Sequence, residues 1–189
     1  MATALERLTQ LVSEAPIETT LAAADAARIT ALLPLVAQRD PRLHALLETL
    51  VRRPASFSVF DVEIDSRILL RGKSGEAWNE GGKVIGDLDL AIARNYGGDL
   101  FVWNAERGDV REIVHDEGWR TKGVPRAVDD WVVQTMRDIA ERADVDQVDE
   151  ADDAYRACLA FASSIAGADA LNDEVRARLA ELGLLTEKS

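Results

Sequence analysis

The chain has 189 residues, 47% of them hydrophobic, and carries 22 Lys and Arg against 34 Asp and Glu, a net charge of −12. That size suffices for one ordinary domain, or for a domain with an appended helical piece, built on a real core. So large an excess of negative charge repels nucleic-acid phosphate, so nucleic-acid binding is not expected; it either favours a basic protein partner or simply keeps the chain soluble.

The opening MATALERLTQLVSEAP has no basic leader followed by an apolar stretch, and no run of about 18 apolar residues occurs anywhere. A soluble cytoplasmic protein without membrane contact is therefore expected. The single cysteine, Cys158, excludes an intrachain disulfide, which fits a reducing compartment; its place between Ala157 and Leu159 in a helical pattern favours packing.

In chain order, Leu5, Leu8, Leu11 and Val12 fall at helical spacing and predict a helix over residues 4–14, which Pro16 cannot continue. Residues 20–38 are rich in Ala and Leu, with Pro34 predicting a kink or break near Leu33. Asp40-Pro41 reads as a helix cap and first helical position, opening a helix whose Leu43, Leu46, Leu47 and Leu50 share a face until Arg53-Pro54. His44 lies off that face. The only other histidine is His115, so a two-histidine metal centre is not expected.

Past Pro54, Phe57 to Ile64 alternate imperfectly and Ile68-Leu69-Leu70 follow, which predicts a strand pair turning at residues 64–67. Gly72-Lys73-Ser74 ends like a phosphate-binding loop, but Arg67 stands where the first glycine must be, so an ordinary turn is expected. Lys83 to Glu117 is the best-specified stretch. An apolar run around Leu88 to Ile92 leads to Asn95-Tyr96-Gly97-Gly98-Asp99, and then Leu100–Trp103 and Val110–Val114 flank Asn104–Asp109, with Gly108 where a left-handed backbone is needed. This is a β-hairpin with a longer loop.

Gly118–Pro125, containing Trp119, reads as a loop. Pro125, Val128, Trp131, Val132, Thr135, Met136 and Ile139 then predict a helix over residues 125–142 covering one face of the sheet. Glu141 to Asp153 holds seven acidic residues and one basic, a solvated boundary before a C-terminal helical hairpin. In that hairpin Gly167 ends the first helix and Asn172 to Leu182 forms the second, closed by Gly183. The expected organisation is thus mixed helix and sheet: a domain over residues 1–143 with helices in 4–53, strands in 57–116 and a covering helix at 125–142, then a helical hairpin over 149–189.

Chemistry-bearing motifs are sparse. There is no G-x-S-x-G, and Ser163-Ser164 lie in an alanine-rich helical pattern without a neighbouring histidine. Asp87-Asp89 and Asp129-Asp130 are carboxylate pairs of the kind that an acidic chain places on solvated faces, and Asp87-x-Asp89 lacks the glycine of a calcium loop. No cofactor, metal or catalytic residue is assigned.

The segment Ile92 to Trp103, then Gly108-Asp109-Val110, His115-Asp116 and a loop into a helix with Trp131-Val132, resembles the second half of the SUKH superfamily, which includes the yeast cell-wall-synthesis regulator and many bacterial immunity proteins. The front half lacks the asparagine-glycine turn usual in that family. The resemblance implies an α+β fold, with a central twisted antiparallel sheet in 57–116 flanked by helices, and no enzymatic activity, the role being to bind and neutralise a toxin, often a nuclease. Asp87, Asp89, Tyr96, Asp99, Trp103 and Trp119 are the candidate partner-binding residues, chosen by position and chemistry. Alternatives are a regulatory or structural interaction protein acting as a homodimer through the C-terminal hairpin and, more remotely, a small acidic metal-dependent enzyme.

Overall fold

The computed structural model describes residues 2–14, 30, 33–52, 56–59, 62–65, 88–95, 97–150 and 153–185. Within them the chain is α+β, with helices before and after a six-stranded antiparallel sheet. It divides into two compact units, Met1–Trp131 and Val132–Ser189.

In the first unit, helix α1 (Ala4–Glu14) opens with a reciprocal cap: the Thr3 N–H donates to Glu6 Oε2 at 2.7 Å and the Glu6 N–H to Thr3 Oγ1 at 3.3 Å. A helical stretch, α2 (33–39), precedes α3 (Pro41–Arg52). Asp40 Oδ1 accepts the Arg42 and Leu43 N–H groups and Pro41 takes the first helical position, where its missing N–H is harmless. Helices α1 and α3 pack together, with Leu5, Leu8, Leu43 and Leu47 buried. Asp129 binds both helices, accepting from the Leu5 N–H at 3.0 Å and pairing with the Arg42 guanidinium.

The sheet runs in sequence order: β1 (Ser56–Val59), β2 (Val62–Asp65), β3 (Asp89–Asn95), β4 (Leu100–Asn104), β5 (Asp109–Val114) and β6 (Arg120–Ala127). The chain reverses between Val59 and Val62, five residues ahead of the turn expected at residues 64–67. Ile68-Leu69-Leu70 and the Gly72-Lys73-Ser74 tripeptide lie outside the described residues. Between β4 and β5, Gly108 has φ +73° and its N–H donates to the Asn104 carbonyl at 2.8 Å, closing the expected hairpin.

The pairing register sorts side chains onto two faces. One carries Ala91, Leu100, Val102 and Ile113, a buried cluster against which Trp119 packs. The other carries Leu90, Trp103 and Val110, with Phe101 5.4 Å from the Trp131 ring.

Two sequence expectations change here. Residues 120–127 are not a loop but the sixth strand, and the following helix α4 (Val128–Glu141) starts three residues after Pro125. The reason is local: Arg-Thr-Lys-Gly-Val-Pro-Arg-Ala has no alternation of apolar side chains, and all eight residues are exposed. Backbone pairing to β5 alone makes it a strand.

In the second unit the acidic stretch contains a short helix, α5 (Val145–Glu150), in which only Val148 is buried. Helix α6 (Asp153–Ala166) buries Leu159, Ala162 and Ser163; the side chain of Cys158 lies outside the described residues. Gly167, at φ +103°, ends α6. After a single 3₁₀ turn at Ala168–Ala170, Asn172 caps α7 (Asp173–Glu181), its Oδ1 accepting the Val175 N–H at 2.9 Å while its amide donates to the Ala143 carbonyl. Arg178 bridges α7 to α5 through Asp149 at 2.5 Å, and that hydrogen bond, with a second to Glu181, raises the already high guanidinium pKa.

Candidate functional site

Strands β3, β4 and β5 are bound together at both ends by polar side chains. At the hairpin end Asp89 accepts from the Asn104 amide at 2.7 Å and from Arg111 at 2.6 Å, one residue on each of three strands. Asn104 Oδ1 in turn accepts the Glu106 and Arg107 N–H groups and shapes the loop. The network's carboxylate is buried, with the Asp89 side chain 5% exposed, while the Arg111 side chain is 19% exposed.

The opposite end is partly open to solvent and is the candidate site. Here Asn95 ends β3 and Asp99 precedes β4 across a turn containing Gly97 and Gly98. Asn95 Oδ1 accepts the Asp99 N–H at 2.9 Å, and the Asn95 amide donates to Asp99 Oδ2 at 3.0 Å. Gly98 has φ +95°, and a Cβ there would stand 3.5 Å from the His115 ring, so the turn approaches β5 closely.

Asp99 Oδ1 accepts the His115 backbone N–H at 2.9 Å and lies 3.0 Å from His115 Nδ1. His115 Nε2 lies 2.8 Å from Asp116. Trp119 follows with its ring 6.0 Å from the imidazole and a φ of +62°, a left-handed conformation costly for a bulky residue. Its packing on Ala91, Leu100, Val102 and Ile113 holds it there.

The electrostatics follow from these contacts. Burial pushes the Asp99 carboxyl upward, but hydrogen bonds from the Asn95 amide and from the ring and backbone N–H of His115, with the histidine's charge, bring it net below its ordinary 3.8. His115 moves above its ordinary 6.5, chiefly through the hydrogen bond to Asp99, against partial desolvation and with added attraction from Asp116 and Asp99. An imidazole with a carboxylate on each nitrogen is favoured as imidazolium. The contacts thus hold an imidazole and two carboxylates together at this end of the sheet.

Of the residues singled out from the sequence, Asp99 and Trp119 belong to this half-open end. Asp89 is in the buried network, and Trp103 is a core residue at 1% exposure, so both side chains serve the sheet's interior. Asp87 and Tyr96 lie outside the described residues. The sequence reading missed Asn95, His115 and Asp116 as members of the cluster. The available signal was a glycine pair bracketed by Asn95 and Asp99, two residues that bond to nearby backbone in turns. Among the described residues, no group of three His, Cys, Asp or Glu side chains is placed to hold a metal ion. No described helix is long and apolar enough to cross a membrane. In comparisons with known proteins, no family model, no curated protein and no solved structure matches the chain.

Proposed function

We propose that this chain is a non-enzymatic cytoplasmic protein-binding module that binds and neutralises a basic toxin in the manner of a SUKH-type immunity protein. The observation that carries the reading is spatial. The described residues of the resemblance, within Ile92 to Trp103, Gly108 to Val110 and His115-Asp116, fall on three neighbouring strands and their connections, with Trp131 against Phe101. The contact surface in this reading is the half-open end of those strands. There a partly buried tryptophan stands beside Asp116, whose side chain is 84% exposed, and the exposed Glu117. An aromatic anchor close in sequence to two exposed carboxylates suits a basic surface, since burial supplies affinity and complementary charge speeds encounter.

The test is calorimetric titration with the basic, toxin-like product of an adjacent gene. Binding at micromolar concentration or tighter is expected, weakened at least roughly tenfold by Asp116→Lys with Glu117→Lys. No heat at micromolar concentrations, with inactivation of the toxin also absent, would overturn the proposal.

A further inference from the structure

The structure points to a second surface, independent of the first: we propose that β6 is a self-association site, where Arg120, Lys122 and Arg126 of one copy receive the acidic segment around α5 of a second copy, and reciprocally. Strand β6 is the last in the sheet, all eight of its residues are exposed, and it carries three cations and no carboxylate in a chain whose net charge is −12. Its register puts Arg120 opposite Val114, Lys122 opposite Glu112 and Arg126 opposite Val110. Those three β5 positions alternate, so the three cations share one face of the sheet. None of them makes an ion pair or a side-chain hydrogen bond among the described residues.

The mode of contact is set by the strand's irregularity. Between Lys122 and Arg126 the strand bulges, with Gly123 at φ +70°, Val124 80% exposed and Pro125 lacking an N–H. A bulge, a proline and charges keep a further strand from adding to an edge. The occupant must therefore engage side chains, and it must be acidic.

The same sequence supplies such an occupant. Residues 141–153 hold seven acids and one base. Within them Asp149 is taken by Arg178, and Asp144 accepts the Asp146 N–H. The side chains of Asp146 and Glu150 are left exposed on α5, without a partner among the described residues. They stand one helical turn apart, about 6 Å between Cβ atoms. Arg120 and Lys122, two residues apart along a strand, are separated by roughly 6.6 Å, so the two pairs match in spacing as well as sign. A two-fold arrangement makes the contact twice.

Sedimentation of the full chain at low and high salt tests this directly. A dimer that dissociates as salt screens the charges is expected. Arg120→Glu with Lys122→Glu should weaken it at least roughly tenfold, as should Asp146→Lys with Glu150→Lys, while an equimolar mixture of the two variants restores a heterodimer. All four positions are exposed, and unchanged far-ultraviolet dichroism of each variant establishes that it is folded. A monomer under every condition, a dimer indifferent to either reversal, or a mixture that fails to associate would each overturn the proposal. Toxin binding does not enter this readout, so it stands or falls apart from the immunity reading.

Discussion

The two ends of the β3–β5 ribbon use the same device with opposite results. At the hairpin end a carboxylate gathers an amide and a guanidinium with its side chain 5% exposed; at the other, a carboxylate gathers an amide and an imidazole whose ring is 34% exposed. Burial decides what each can do. Out of water, a carboxylate and a guanidinium cannot separate without large cost, so the inner network fixes register and nothing else. Near water, with an imidazole as its partner, the outer one can change charge with pH.

The sharpest way to break the comparison is Asp89→Ala. It leaves the Arg111 side chain, 19% exposed, without its carboxylate and should lower the stability of the sheet-bearing unit by about 3 kcal/mol in denaturant unfolding. A loss under 1 kcal/mol would mean that water reaches Arg111 freely. At the outer end, Gly98→Ala places a side chain at φ +95° and should cost roughly 1–3 kcal/mol, through backbone strain rather than lost charge.

The pH profile separates the ends further. His115 has a raised pKa, so its contribution to stability is complete below about 6.5 and is lost as pH rises through the higher folded value. Asp99 has a lowered pKa, so its contribution is present above about 3.8 and disappears as pH falls through the folded value. The pair therefore acts fully between those limits. His115→Gln should flatten the alkaline limb in unfolding curves, and an unchanged limb would place the titrating group elsewhere. The smallest effect is expected from Asp116→Ala, which should leave stability within about 0.5 kcal/mol yet lower the His115 pKa seen by proton resonance.

Features set by near neighbours in the chain were legible in the sequence. The Asp40-Pro41 helix start, the buried Leu43, Leu46 and Leu47 of α3, Gly108 in its hairpin, and the Gly167, Asn172 and Gly183 punctuation of the C-terminal helices all follow from local patterning, sterics and capping. The outer cluster was half legible: the Asn95–Asp99 turn is local, but the Asp99–His115 contact joins residues sixteen apart and exists only because β4 and β5 pair. Strand β6 was illegible for a different reason. No pattern in its side chains reports a strand when none of them is buried.

That last property reaches beyond prediction. With no side chain wedged into the interior, β6 is fastened by main-chain hydrogen bonds alone, so its amides should exchange early and the strand should peel before the sheet melts. Once peeled, it uncovers the far side of β5, an edge with no proline and no bulge against β4 and so with fewer guards against stray pairing. A sacrificial outer ribbon of this kind keeps the molecule from polymerising only while it stays attached, and prolonged storage at high concentration is where its detachment would be felt.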